Sequence, residues 1–319
     1  MKDDMKVLIT GGCGYIGSHL TEYLSQRDVS VIVVDKKENN IIDLNNVIYC
    51  IFDILDTKKL YDVLKTESID CIIHCAGELG IKRSYAQKKF FYKQNTFLTQ
   101  CVLDAMVNND VKNIIFSSSA AVYDDSSFPL KENDNISSLL SPYSAGKIAS
   151  EYTLKGMTVF GINYLAFRYF NVIGCSRNPI LKNNYLKKSN ILPLLVNSYK
   201  HNKPFYVFGN QYKTHDGTCV RDYIDIEDLC QLHYLALTKI VDINVNDVFN
   251  AGSGRGYSVK EILEIFNNTV SVDIKPIFSH KRDGDASLMV ADINKTSNYF
   301  EWQSKKTIVQ SIENLLQDT

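Results

Sequence analysis

The sequence has no surplus of either charge: 35 Lys and Arg stand against 36 Asp and Glu, a formal net charge of -1. That balance excludes the broad basic surface of a nucleic-acid binder and the polybasic anchor of a membrane-associated protein. No apolar run reaches the length of a membrane span. The opening Met1-Lys2-Asp3-Asp4 has none of the basic and long apolar character of a signal peptide, so a cytoplasmic protein is expected. Repeats and low-complexity tracts are also missing. The chain has eight cysteines but no Cys-x-x-Cys pair. Its nearest approach to a metal motif is Cys71-Ile72-Ile73-His74-Cys75. A structural zinc site needs four ligands, and the sequence offers no second cluster. The expectation is therefore no metal, and buried free thiols in a reducing compartment.

What is present is an ordinary globular composition, 45% apolar and 22% charged, over a length that suits one large or two intimate domains. In the first half, short β-branched runs alternate with amphipathic stretches. Strands are expected at Val7–Thr10, Val29–Val34, Val47–Phe52, Ile69–His74, Val111–Ser117 and Asn163–Arg168. Helices are expected at Tyr15–Arg27, Lys58–Thr66, Phe91–Asn108 and Tyr143–Lys155. Such alternation implies a parallel sheet covered by helices on both faces, and nearly wholly apolar strands agree with that double cover. After about residue 170 the pattern changes. Ser176–Asn190 is polar and poor in periodicity, and shorter elements follow, as in a smaller domain closing over the sheet's carboxyl edge.

Gly11, Gly14 and Gly17 sit between the first strand and the first helix, spaced Gly-x-x-Gly-x-x-Gly and enclosing Tyr15 and Ile16. Glycines there let the backbone turn tightly and let a pyrophosphate approach the helix N-terminus. Asp35 ends the second strand, 18 residues beyond Gly17. A carboxylate at that place accepts both ribose hydroxyls and repels a 2′-phosphate, which favours NAD over NADP. Asp53-Ile54 closes the third strand within reach of an adenine. Cys75-Ala76-Gly77 closes the fourth with residues small enough for close backbone approach. Asn95, on the helix that follows, is a further candidate. Each has a plainer reading as a strand terminus or helix-packing amide; it is their joint order along the chain that points to a dinucleotide.

Ser117-Ser118-Ser119 follows the fifth strand, at the edge where open α/β sheets bind ligands. Tyr143 and Lys147 are four residues apart, and on a helix they share one face. A tyrosine of ordinary pKa is a poor base at neutral pH. A neighbouring lysine cation, together with an oxidised nicotinamide, is expected to lower it. The phenolate then takes a proton from a sugar hydroxyl while Ser119 hydrogen-bonds the reacting oxygen.

With these segments the chain resembles the extended short-chain dehydrogenase/reductases, in the NAD-dependent epimerase/dehydratase family, over essentially its whole length. Within that group it is most similar to the UDP-glucose 4-epimerases, through Gly11–His19, Ser117–Tyr123, Ser141-Pro142-Tyr143, Arg168-Tyr169-Phe170-Asn171 and above all Asp216-Gly217-Thr218-Cys219-Val220-Arg221-Asp222-Tyr223. The resemblance implies a Rossmann-type doubly wound parallel sheet with a smaller C-terminal α/β substrate domain. Residues 1–170 would bind NAD, and residues 171–319 mainly a UDP-sugar, with some segments returning to the first domain. Ser119, Tyr143 and Lys147 would be catalytic, and Tyr143, Lys147 and Phe170 would also meet the cofactor. Arg221 and Arg282 would hold the diphosphate, whose geometry guanidinium matches. Asn171 and Asn190 would be further donors, Asp285 would lie near the uridine ribose, and Tyr206, Val207 and Phe208 would line the uracil. The reaction implied is interconversion of UDP-galactose and UDP-glucose through a 4-keto sugar on tightly bound NAD.

Two departures from the family pattern stand out. Met289 occupies a position that is Tyr in galactose-restricted members and small in those taking N-acetylated sugars. Leu79 stands where several members have Lys near the nicotinamide. Other readings remain: a 4-epimerase of UDP-N-acetylglucosamine, UDP-glucuronate or a UDP-pentose, or a net NAD-dependent sugar-nucleotide reductase. The resemblance also implies a homodimer, through Tyr92–Asn108 and Tyr143–Lys155.

Overall fold

The computed structural model describes residues 5–124, 128–138, 141–282 and 285–317. The Met1-Lys2-Asp3-Asp4 stretch, and Asp283 and Gly284 within the Arg282–Asp285 segment, lie outside the described residues. Strands are β1 (Lys6–Thr10), β2 (Ser30–Asp35), β3 (Val47–Ile51), β4 (Cys71–His74), β5 (Asn113–Ser119), β6 (Asn163–Tyr169), β7 (Asn171–Ile173), β8 (Phe205–Phe208), β9 (Val220–Asp225), β10 (Asn246–Ala251), β11 (Gly256–Ser258), β12 (Pro276–Ser279) and β13 (Leu288–Met289). Helices are α1 (Tyr15–Ser25), α2 (Thr57–Thr66), α3 (Ile81–Ala86), α4 (Lys88–Tyr92), α5 (Leu98–Asn108), α6 (Pro142–Met157), α7 (Pro179–Leu186), α8 (Ile191–His201), α9 (Ile226–Asp242), α10 (Val259–Val270), α11 (Asn294–Phe300) and α12 (Ile308–Leu316).

The chain forms two compact units. The first comprises residues up to Val122, Ile136–Arg168 and Cys230–Phe249; the second comprises Tyr123–Asn135, Tyr169–Leu229 and Asn250 onward. A seven-stranded sheet, in the order β10-β6-β5-β4-β1-β2-β3, is the centre of the first unit. The β1–β2, β2–β3, β1–β4 and β4–β5 pairs are parallel. Strand order therefore reverses beside β1, which opens a crevice at the β1 and β4 carboxyl ends. Leu8, Ile32, Ile72 and Ile114 pack under Leu98, Val102, Leu103 and Met106 of α5 in one core cluster.

Local differences from the sequence reading have local causes. β4 begins at Cys71 rather than Ile69 because Asp70 turns to Lys6, its carboxylate accepting the Lys6 N–H at 2.9 Å. β5 runs on through Ser119, so the serines end the strand instead of following it. The single helix expected over Phe91–Asn108 is interrupted by a π-helical turn at Lys93–Phe97, a distortion common at functional sites. Side chains reinforce that turn: Asn95 Nδ2 donates to Phe91 O at 3.0 Å and Thr99 Oγ1 to Asn95 O at 2.7 Å. α6 starts sharply, with Pro142 in its first turn and the Ser141 hydroxyl accepting the Ser144 N–H.

In the second unit β9 is the spine, flanked by β11, β13 and β7; β8 and β12 form a separate parallel pair. The polar Ser176–Asn190 stretch, expected to lack periodic structure, contains α7. Asn178 caps it and Pro179 opens it, while Leu181, Lys182 and Tyr185 are buried. Capping rather than apolar periodicity makes this helix.

A buried ion pair ties α6 to β6. Arg168 Nε and Nη2 donate to Glu151 Oε1 and Oε2 at 3.0 and 2.7 Å, and both side chains are 6% exposed. Glu151 also accepts the Ser118 hydroxyl. Removing one partner strands the other charge, so Arg168→Met is expected to lose about 3–5 kcal/mol in urea denaturation, most of it recovered in Arg168→Met/Glu151→Leu. A single variant as stable as the parent would contradict this account.

Candidate active site

The crevice is shaped by close approaches that only glycine permits. Gly11 has φ +70°, and a Cβ on it would lie 2.7 Å from the Ala76 N and Cα atoms. On Gly14 it would lie 3.0 Å from Gly11 O, and on Gly17 it would run into that same oxygen. The turn is thereby pressed against the end of β4, where α1 begins at Tyr15 and Ile16. Asp35 closes β2, accepting the Cys13 N–H and the Lys37 N–H, each at 3.0 Å. A carboxylate has about four lone-pair sites, so acceptor capacity remains for hydroxyls. Asp53 accepts the Leu55 N–H at 3.0 Å. The Ile54 side chain belongs to the core, so Ile54 offers a ligand only its main chain.

Across the crevice, a Cβ on Gly77 would lie 2.7 Å from Asn95 Oδ1 and 3.5 Å from Lys147 Nζ. Asn95 is 2% exposed, and its Oδ1 has no partner among the described residues. A buried acceptor without a donor is costly. An orphaned amide oxygen, a glycine cradle and a strand-end carboxylate together fit a dinucleotide.

The Ser119 hydroxyl lies beside the Tyr143 phenol, close enough to favour its ionised form. Lys147, 5% exposed, donates from Nζ to Ser117 O at 2.8 Å and lies 5.0 Å over the Phe116 ring. Burial pushes its ammonium down to about 8, against the opposing influence of Cys75 and Glu151. The Cys75 thiol accepts the Ser117 hydroxyl at 3.2 Å and burial holds it up at about 11, so it is no ready nucleophile. The expected lowering of Tyr143 is not met within the chain alone. Burial raises the phenol, and the neighbouring Ser119 hydroxyl is what opposes it. The cation is held by Ser117 O, and the sequence could not show that desolvation outweighs it.

Other side chains around this centre escaped the sequence reading. Glu151 lies one turn beyond Lys147, a spacing that could have revealed it. Arg168 was part of a motif without a role, and His74 appeared only beside two cysteines. The Cys71 and Cys75 positions share the strand face opposite His74. All eight cysteines are free, and no cluster that could hold a metal ion occurs among the described residues.

The second unit gathers most of the residues assigned to the nucleotide. Arg221 pairs in register with Met289. Its guanidinium donates to Val220 O and Ala286 O at 2.9 and 2.7 Å and stands 3.8 Å from Asp285 Oδ1. Arg282 lies 3.9 Å over the Phe208 ring, and its carbonyl accepts the Asp285 N–H at 3.3 Å. Strand alternation puts Tyr206 on the exposed face of β8, with Phe208 partly exposed, and buries the Val207 side chain, which leaves a ligand only its main chain. Asn171 opens β7, and Asn190 reaches the Val172 carbonyl from the start of α8. Phe170, expected at the cofactor, belongs to this unit, its ring 6.4 Å from Tyr123.

The acidic members of the most specific motif are structural. Asp216 accepts the Thr218 N–H and hydroxyl, each at 2.7 Å, and the Ser258 hydroxyl. Asp222, 0% exposed, accepts from Ser253 N–H and Oγ at 2.7 Å, Gly254 N–H at 2.9 Å and Ala291 N–H at 3.2 Å. Burial raises its carboxyl against these four bonds.

Residues 7–252 match the NAD dependent epimerase/dehydratase family. The chain is 34% identical over 314 residues to the UDP-glucose 4-epimerase of Lactobacillus helveticus, covering 97% of this chain and 94% of that one. The UDP-glucose 4-epimerase of Bifidobacterium longum, solved with NAD+ and UDP, matches with a TM-score of 0.87 and 28% identity over 98% of this chain and 97% of its own. A UDP-N-acetylglucosamine 4-epimerase from Methanobrevibacter ruminantium M1, solved with UDP-N-acetylmuramic acid, matches at 0.85 and 25% over 99% and 100%.

The buried lysine also sets a pH dependence of stability. Its folded pKa of about 8 lies below the ordinary 10.5. Between those values the unfolded chain binds more protons, so the charge destabilises the fold below about 8 and the penalty fades as pH rises toward 10.5. The stability of Lys147→Met relative to the parent is therefore expected to fall by roughly 3 kcal/mol across that window. Urea melts of both proteins at its two ends read this directly; a constant difference would show that the cation carries no burial cost.

Proposed function

The chain belongs to the NAD-dependent epimerase/dehydratase family, and from that premise we propose that it interconverts UDP-galactose and UDP-glucose by inverting carbon 4 through a 4-keto sugar. The reading rests on one observation: Tyr143, beside the Ser119 hydroxyl, and the buried Lys147 cation lie in the unit whose glycine crevice fits a dinucleotide. NAD held by Gly11, Gly14, Gly17, Asp35, Gly77 and Asn95, with Asp53 and the Ile54 main chain toward the adenine, supplies a two-electron acceptor and donor. Tyr143 takes the proton of the 4-hydroxyl and returns it. Ser119 holds the reacting oxygen, and Lys147 stabilises the phenolate against the desolvation that otherwise favours the phenol. Arg221 and Arg282 bind the diphosphate, Tyr206 and Phe208 face the base, and Asp285 meets the ribose.

Met289 supports a second substrate. It is partly buried on β13 beside Arg221, and its unbranched, flexible side chain can move aside for an N-acetyl group. The relative named for UDP-N-acetylglucosamine agrees with that breadth.

We further propose a homodimer through Tyr92–Asn108 and Tyr143–Lys155, where Tyr92, Phe97 and Tyr152 are 62%, 48% and 66% exposed; light scattering of the purified protein tests it. Eight free thiols support a cytoplasmic setting. Among the described residues no helix is long and apolar enough to cross a membrane.

Purified protein incubated with UDP-galactose, or separately with UDP-N-acetylgalactosamine, and no added NAD is expected to convert the first and, if Met289 yields, the second, followed by proton NMR of the anomeric signals. Folded, NAD-loaded protein that converts neither would sink the substrate assignment. Tyr143→Phe is expected to keep its bound NAD and lose about 10²–10⁴-fold in kcat.

A further inference from the structure

β1, β4 and β5 run in one register, with Thr10 beside His74 and His74 beside Phe116. Side chains at paired positions share a face of the sheet, so these three form a row at the rim of the crevice. His74 is fully buried, its ring stacked 5.8 Å from that of Phe116. Both ring nitrogens have partners: Nδ1 lies 2.6 Å from Thr10 Oγ1, and Nε2 lies 3.1 Å from Thr99 Oγ1.

The partners decide which nitrogen carries the proton. Thr99 Oγ1 lies 2.7 Å from Asn95 O, a carbonyl that can only accept, so the threonine hydrogen is committed there. Thr99 Oγ1 must then accept from His74, which makes Nε2 the protonated nitrogen; the Ser150 hydroxyl, 3.2 Å away, has the Gly146 carbonyl at 3.0 Å as its own acceptor. Nδ1 is left as an acceptor and takes the hydrogen of Thr10. Thr10 Oγ1 in turn accepts the Ala76 N–H at 3.4 Å. A one-directional chain results, from Ala76 N–H through Thr10, His74 and Thr99 to Asn95 O. It joins the strand end that crowds Gly11 to the π turn that aims the orphaned Asn95 oxygen at Gly77. A second ring proton would set Nδ1–H against the Thr10 hydroxyl. Burial keeps the imidazole neutral, down at about 3, and the cation of Lys147, the charged group acting on it, pushes the same way.

We propose that His74 is a positioning residue for the cofactor site: as a neutral Nε2–H imidazole it holds the Asn95 turn and the Ala76-Gly77 strand end at a fixed spacing. The role rests on the reading of that crevice as the NAD site; the position of the proton does not.

Nitrogen-15 NMR of imidazole-labelled protein is expected to show one histidine in the Nε2–H form, unchanged from about pH 5.5 to about pH 9 and absent in His74→Gln. Thr99→Val keeps its shape but deletes both the acceptor of Nε2–H and the anchor on Asn95. It is expected to hold NAD about tenfold more weakly, with the KM for the UDP-sugar unchanged. His74→Gln, whose amide can still donate to Thr99, is expected to retain more NAD than His74→Phe. An Nδ1–H ring, titration within that range, or folded Thr99→Val and His74→Phe proteins with parental NAD retention would each overturn the proposal. Parent protein that binds no NAD would instead bring down the functional reading and the positioning role with it.

Discussion

The spacing between the β1–α1 turn and the end of β4 governs the carboxyl edge of the first unit. A Cβ on Gly11 would sit 2.7 Å from Ala76 N, so the two backbones meet with nothing between them. That contact places the start of α1, the Ala76-Gly77 segment and, through Thr10 and His74, the Asn95 turn relative to one another. The Asp35 carboxylate is fixed on the same turn by the Cys13 N–H. The orphaned Asn95 oxygen and the crowded Gly77 follow from this geometry rather than adding to it.

Charge at this edge is buried at a cost, and the cost is local. Lys147 is pushed down to about 8 by desolvation and retained by a carbonyl and a ring face. Glu151, one turn on, is satisfied by Arg168 and Ser118, so a paired ion flanks a cation whose burial it offsets only in part. The last serines of β5 divide the work: the Ser117 carbonyl holds Lys147, Ser118 binds Glu151 and the Ser119 hydroxyl lies beside Tyr143. Folding alone leaves the phenol harder to ionise, consistent with an active site that spends stability on a charge placed ahead of its partner.

The second unit follows another rule. Asp216 and Asp222, the acids that make its motif recognisable, hold backbone and hydroxyl donors and bring β9 against the Ser253-Gly254 turn and Ala291. Arg221, between them in sequence, is set in register with Met289 and beside Asp285 by that scaffold. A motif can thus be specific to a family while its acids serve the frame.

The sequence by itself determined the alternation of strands and helices, the glycine spacing, Asp35 at a strand end, and Tyr143 and Lys147 on one helix face. These are read from local periodicity and backbone stereochemistry, which depend on near neighbours. It missed α7, made by a cap and a proline rather than by an apolar stripe, and the π turn, made by side chains bonding back to their own helix. It did not place the Val207 side chain, whose face depends on how β8 pairs. Only the tertiary structure decided the His74 tautomer, the direction in which Tyr143 and Lys147 shift, and the roles of Glu151 and Arg168. Thr10 and His74 are 64 residues apart, and desolvation is set by whatever packs around a group. Such partners are brought together by the parallel sheet, which joins residues that no local pattern relates.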